Sequence, residues 1–180
     1  DQEEALELAD RVVVMNRDRI EQVGTTDEVY EKPASPFVFD FLGGVNVLPG
    51  SVRGGKVHLD GVEAPIGADA TQDGPVDIYV RPGDLRVAEE GQPGIEATIV
   101  TAQRTGPLVR WRAESAALNT ELEVEIPHLH HDSRKYHPRV TVRLRLNQYS
   151  VFPRGVATQK PATVAKPVLT GSERERGRQG

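Results

Sequence analysis

The chain has 180 residues, 37% hydrophobic and 27% charged, which is enough for one domain or two small ones with a buried core. Its 22 basic and 27 acidic side chains give a formal net charge of -5, so nucleic acid is not an expected partner. The absence of cysteine excludes disulfides and thiolate chemistry. Its 13 prolines and 17 glycines favour turns and short strands over long helices.

The first 24 residues predict a helix followed by a β-hairpin. Ala5, Leu8 and Ala9 recur at helical spacing, so residues 1–10 read as an amphipathic helix. An apolar run at residues 12–15 and an extended stretch at 20–23 are separated by turn-forming residues, which predicts two antiparallel strands. A helix and a hairpin without a sheet to join are typical of the edge of a larger α/β domain.

Two short helices are predicted next, and each has a recognisable start. Thr25 and Glu28 have the spacing of a capping box, in which each side chain bonds the other residue's backbone N–H. Ser35 followed by Pro36 predicts a second start, with serine as the N-cap and proline in the first turn. Two glycines at residues 43–44 end this helical region.

From residue 45 onward, short alternating apolar and polar runs replace the helical period, and they predict a small antiparallel β-barrel or sandwich. The predicted inward-facing residues are Val57 and Leu59; Val76, Ile78 and Val80; Ile95, Ala97 and Ile99; Leu122, Val124 and Ile126; and Val140, Val142, Leu144 and Leu146. A glutamate-rich strand at 121–125 and an arginine-rich strand at 141–145 could pair with each other. Residues 154–180 are rich in charge and proline, and they predict a flexible tail.

A histidine cluster offers the main candidate for a metal site. His128, His130, His131 and His137 lie close in sequence and near Asp132, and imidazoles beside a carboxylate can bind Zn²⁺ or Ni²⁺. Their spacing matches no standard closed zinc site, and a polar loop between strands would explain them equally well. We assign no metal-binding residue from this pattern.

The opening of the chain resembles the ATP-binding subunits of ABC importers. Asp1, Glu4 and Ala5 match the segment that follows the switch histidine in that family, and residues 19–43 resemble the end of the same ATPase domain. Asp18 stands where the family usually has glycine in the hairpin turn; aspartate tolerates the left-handed conformation, so the hairpin is expected to form.

The second half resembles the accessory regulatory domain of these subunits, an OB-like module called TOBE. The resemblance is carried by the runs 45–50, 65–67, 74–82 and 106–107, and it is nearest to importers of the sulfate/thiosulfate type. It implies a mainly β fold, with an antiparallel β-barrel preceded by an α+β remnant of the nucleotide-binding domain. The implied domains are the ATPase remnant at 1–44, the regulatory barrel at 45–153 and the tail at 154–180.

The resemblance also implies a function. The chain would be the regulatory and dimerisation part of the ATP-hydrolysing subunit of a sulfate/thiosulfate importer, bound to permease subunits at the inner face of the cell membrane and to a second copy of itself. A related molybdate or sugar importer, or an OB-type module that binds small oxyanions, remains an alternative. In the last case Arg81 and Arg110 are candidate oxyanion contacts, although salt bridges would explain them as well.

No catalytic residue is predicted in this chain. The intact subunit would use ATP and Mg²⁺, but the glycine-rich phosphate loop, the family's signature loop and the switch histidine are all missing from these 180 residues. The chain alone is therefore expected neither to bind a cofactor nor to hydrolyse ATP.

Overall fold

The computed structural model describes residues 9–62, 66–68 and 72–155. The chain divides into two compact units between Leu42 and Gly43. The helix predicted for residues 1–10 lies almost wholly outside the described residues, as does the tail predicted for 154–180. None of the helices in the described part is long and apolar enough to cross a membrane.

The first unit begins with the predicted hairpin, which is confirmed. Strand β1 (Val12–Asn16) pairs antiparallel with β2 (Arg19–Gly24). The two turn residues between them are left-handed, with φ of 45° at Arg17 and 64° at Asp18. Aspartate therefore adopts the conformation for which glycine would otherwise be favoured.

Both predicted helix starts are also confirmed. Helix α1 (Thr26–Glu31) has a complete capping box, because the Thr25 N–H donates to Glu28 Oε2 at 2.8 Å and the Glu28 N–H donates to Thr25 Oγ1 at 3.2 Å. Helix α2 (Pro36–Phe41) is capped by the Ser35 hydroxyl. The helices and hairpin share a small core made of Val14, Val29, Phe37 and Val38.

The described residues of the second unit form ten strands and two short 3-10 helices. In chain order, the strands are β3 (Asn46–Arg53), β4 (Lys56–Leu59), β5 (Gly67–Ala68), β6 (Gly74–Val80), β7 (Leu85–Val87), β8 (Ile95–Thr105), β9 (Leu108–Ser115), β10 (Thr120–Pro127), β11 (Thr141–Leu146) and β12 (Ser150–Pro153). One 3-10 helix, Pro82–Asp84, joins β6 to β7, and the other, His128–His130, follows β10.

These strands form two five-stranded antiparallel sheets. The first has the order β12-β6-β3-β4-β5 and the second the order β10-β9-β8-β11-β7. Inward side chains of both sheets belong to one apolar cluster, because alternate residues of a strand face the same side. The mainly β, antiparallel prediction is confirmed; within the described residues, the two sheets are not closed into one hydrogen-bonded barrel.

One detail of the strand prediction is wrong. The glutamate-rich strand β10 and the arginine-rich strand β11 do not pair, because β9 lies beside β10, and β8 and β7 lie beside β11. The glutamates of β10 instead meet Arg110 and Arg112 of β9. Both β9 and β11 carry arginines that could pair with these glutamates. Charge complementarity alone therefore could not predict which of the two strands lies beside β10.

Candidate functional site

Asn46, the first residue of β3, joins the two sheets of the second unit. Its side-chain amide donates to the Glu123 carbonyl at 2.8 Å, and its Oδ1 accepts the Glu123 N–H at 2.8 Å. Asn46 is only 5% exposed. The carboxamide thus takes the place of a peptide group from a neighbouring strand. It bonds both the N–H and the carbonyl of Glu123 on the side of β10 that no strand pairs with in the described residues.

Arg81 lies close to this bridge. Asn46 pairs with Val80 in the β3–β6 ladder, so the next residue, Arg81, leaves the sheet beside it. Arg81 is 6% exposed, and its carbonyl accepts the Asp84 N–H at 2.9 Å in the 3-10 helix that follows. A guanidinium stays charged when buried, so this corner carries a fixed positive charge inside the unit.

Two glycines lie next to the same corner. A Cβ on Gly44 would make ordinary van der Waals contact, 3.5 Å from the Pro82 ring and 3.9 Å from Glu123 Oε2, and one on Gly43 would lie 3.8 Å from Arg81 Nη1. Gly43 has φ of +136°, which side chains rarely adopt. We call the group formed by Asn46, Arg81, Pro82 and Glu123 the cross-sheet corner.

Arg110, the second predicted oxyanion contact, has a different setting. It lies on the outer face of β9, where its Nε donates to Glu125 Oε1 of β10 at 2.7 Å, and its side chain is 61% exposed. Arg112 makes a two-pronged bond to Glu121 on the same face, which raises the pKa of Arg112 and lowers that of Glu121. Arg110 is therefore one member of a row of surface ion pairs, whereas Arg81 is buried.

The predicted histidine cluster lies after β10 and packs on the single tryptophan. The His131 ring meets Trp111 edge-on with centroids 5.8 Å apart, and Tyr136 lies 5.3 Å from the same indole. His130 and His137 are exposed. Of the four candidate histidines, His131 alone is shown in contact with the tryptophan.

His131 has an environment that disfavours its charge. Burial and the nearby His128 lower its pKa, and Asp132 opposes them. The Nδ1 atoms of His128 and His131 are both buried without a hydrogen-bond partner in the described structure. Among the described residues, no group of three His, Asp or Glu side chains that could hold a metal ion is found.

Comparison with known proteins finds a family model that matches the segment containing Asn46, Arg81 and Pro82. Residues 46–87, which run from Asn46 through β7, match the family model of the CysA C-terminal regulatory domain. The chain is 45% identical over 153 residues to a sulfate/thiosulfate import ATP-binding protein of Xanthomonas campestris, covering 85% of this chain and 43% of that protein. The chain is thus similar to the regulatory domain that this family model describes and to part of a sulfate/thiosulfate import ATP-binding protein.

Other relatives agree. The protein of the same description from Brucella melitensis is 44% identical over 135 residues, which are 75% of this chain and 38% of the relative. That from Nitrosomonas europaea is 53% identical over 114 residues, which are 61% of this chain and 31% of the relative. The chain thus spans about two fifths of the length of the relatives from Xanthomonas campestris and Brucella melitensis.

The sequence alone did not reveal two features of this structure. Asn46 was read only as part of a motif, although its place on the inward side of an alternating strand, in phase with Leu48 and Val52, could have marked a buried polar bridge. The packing of His131 and Tyr136 on Trp111 had no such signal, because it joins a strand to a loop about twenty residues later. Both features lie in the second unit.

Proposed function

We propose that this chain forms the C-terminal regulatory part of the ATP-hydrolysing subunit of an ABC importer for sulfate or thiosulfate. The observation that carries the proposal is the match of residues 46–87 to a regulatory-domain family, supported by relatives described as sulfate/thiosulfate import ATP-binding proteins. Three of the four residues of the cross-sheet corner, Asn46, Arg81 and Pro82, lie within the matched residues, and Glu123 lies outside them. Its role would be to hold the two sheets in one arrangement, so that the unit can transmit a change at one surface to another.

In this proposal the chain regulates and does not catalyse. ATP and Mg²⁺ belong to the longer subunit, and the 180 residues contain no G-x-x-x-x-G-K-[ST] sequence whose backbone could cradle phosphates. We derive no hydrolytic step from these residues. Isothermal titration of the isolated chain with Mg-ATP should give no binding heat, and micromolar binding would contradict this assignment.

Transport of labelled sulfate tests the function. Cells in which the gene carrying this sequence is deleted should lose uptake of labelled sulfate and thiosulfate, and a plasmid copy should restore it. Uptake of labelled molybdate and maltose serves as the matched control and should be unchanged. Loss of molybdate or sugar uptake with normal sulfate uptake would assign the chain to one of the related importers instead.

The partners in this proposal are a second copy of the subunit and the permease subunits that hold it at the inner face of the membrane. Membrane fractions should therefore retain the full-length subunit only when the permease is present. Sedimentation of the isolated chain at increasing concentration tests self-association: a rising average mass is expected, and a strict monomer at high concentration would count against dimerisation through this part.

A second candidate role is the binding of a small oxyanion, and Arg81 is the residue that favours it. It is a buried cation inside the family-matched segment, and a guanidinium can bind two oxygens of sulfate at once. Arg110 is less suited because its side chain is 61% exposed, so water and salt would weaken its attraction for an anion. A rise in melting temperature with sulfate, absent with sodium chloride of equal ionic strength and absent in Arg81→Lys, would support binding; equal shifts in both salts would exclude it.

A further inference from the structure

The loop at residues 128–139 is fastened to the second sheet at both ends by backbone hydrogen bonds. At its start the His128 N–H donates to the Pro107 carbonyl at 2.7 Å, and at its end the Arg139 N–H donates to the Ile99 carbonyl at 2.8 Å. None of these four groups titrates, because all are peptide groups. The ends of the loop should therefore stay attached when the charge of its side chains changes.

Between these attachments, the loop touches Trp111 through two rings. His131 lies 5.8 Å and Tyr136 5.3 Å from the indole, and their own rings are 6.3 Å apart. Trp111 is 1% exposed, and its Nε1 has no hydrogen-bond partner in the described structure. The loop rings thus form part of the cover of the domain's largest core residue.

The buried Nδ1 of His131, rather than the ring contact, favours the neutral imidazole. A neutral imidazole has one N–H, whereas an imidazolium has two and needs an acceptor for each. The Nδ1 of His131 is buried and has no partner, and Asp132 Oδ1 already accepts the Arg134 N–H at 2.9 Å. Protonation in place would therefore bury a charged N–H without an acceptor, which is costly.

The charges near the ring act in the same direction on balance. His128 repels a proton on His131 and Asp132 attracts it, and both come from the loop itself. Lys135 lies 5.3 Å from the centre of the Tyr136 ring and is not among the groups that shift the pKa of His131. The residues of β8 and β10 that pair with Trp111 are Ala102 and Val124, which carry no charge.

We propose that the loop at residues 128–139 is a protonation-sensitive clasp, closed over Trp111 while His131 is neutral and released from it when His131 binds a proton. Release is local because the two backbone attachments persist. Since burial and His128 lower the pKa of His131, the release should occur below the ordinary histidine value of about 6.5. Neither His131 nor Trp111 lies in the family-matched residues 46–87.

The single tryptophan makes the clasp directly measurable. Acrylamide quenching of Trp111 fluorescence in the full chain should increase as the pH is lowered from 8 to 5, while far-UV circular dichroism stays constant. His131→Phe keeps an aromatic ring against the indole and cannot be protonated, so its quenching should be flat over this range. His130→Gln, at an exposed neighbour in the same loop, should behave as the natural chain does.

Two further results decide the proposal. His128→Gln removes the repelling neighbour, so the midpoint of the quenching transition should move to higher pH, and this holds even if His131→Phe does not fold. The proposal is overturned if the transition persists in His131→Phe, or if acrylamide quenching is constant until circular dichroism reports global unfolding. A fall in fluorescence intensity without increased acrylamide access would also overturn it, because a charged imidazole can quench a closed indole.

Discussion

The two units bury their strands to different extents. In the first unit the two helices cover one face of the hairpin, so Val14 is fully buried. On the other face of the hairpin, Ile20 is 62% and Val23 47% exposed. In the second unit two sheets share one core, and residues such as Trp111 and Leu144 are almost completely inaccessible. A two-stranded ribbon is marginal alone, whereas two sheets facing each other stabilise both.

The difference also concerns the outer surfaces. Met15 and Ile20 pair across the hairpin and are both exposed, so they form an apolar face. The outer face of the second sheet instead carries ion pairs, such as Arg112 with Glu121. The second unit therefore has the features of a self-sufficient fold, and the predictions below compare equivalent changes in the two units.

Truncating the core of the second unit should have the largest effect. Trp111→Ala removes a fully buried indole and should lower the free energy of unfolding by about 3–5 kcal/mol, measured by urea denaturation followed by circular dichroism. The matched change in the first unit, Ile20→Ala, should alter it by about 0.5 kcal/mol or less because the side chain is exposed. Equal losses for the two variants would contradict the comparison.

Removing the cross-sheet bridge should have the next largest effect. Asn46→Ala leaves both the N–H and the carbonyl of Glu123 without partners, and it should cost about 1–3 kcal/mol. Asn16→Ala in the first unit removes one partly buried side-chain bond to Glu21 and should cost less. Chemical denaturation of both variants gives the comparison, and a larger loss at Asn16 would mean that the bridge is not important.

A feature could be predicted from the sequence when the residues that form it are close together in the chain. The capping box at Thr25 and Glu28 and the turn at Asp18 are local, so residue type and spacing were sufficient to predict them. The contact of Asn46 with Glu123 joins residues 77 positions apart, and the glutamates of β10 had arginines on both β9 and β11 as candidate partners. The alternation of apolar and polar residues predicts which side of a strand is buried, but it does not predict which strand lies beside it.

The stability of the second unit should depend on pH through His131. Its folded-state pKa is lowered, so the unfolded chain binds the proton more readily, and stability falls as the pH drops from above about 6.5 towards the folded-state pKa. Melting temperatures measured between pH 8 and pH 5 should therefore decrease more in the natural chain than in His131→Phe. Parallel decreases would show that other groups dominate.

The surface ion pair should contribute the smallest effect. A double-mutant cycle on Arg112 and Glu121 is expected to give a coupling smaller than the loss caused by Asn46→Ala, because both side chains are exposed and water competes for their hydrogen bonds. The coupling should shrink further in 1 M salt, where the screening length is about 3 Å. A coupling as large as the loss at Asn46, or one insensitive to salt, would show that the outer face contributes more than the comparison allows.

The regulatory assignment is tested most directly by measuring ATP hydrolysis and sulfate uptake together for the longer subunit that we propose. With Asn46→Ala in that subunit, and with folding verified by circular dichroism, hydrolysis by the purified subunit should be unchanged while uptake of labelled sulfate by cells is altered. Loss of hydrolysis with uptake reduced in proportion would contradict the account, because it would place the second unit within the catalytic machinery.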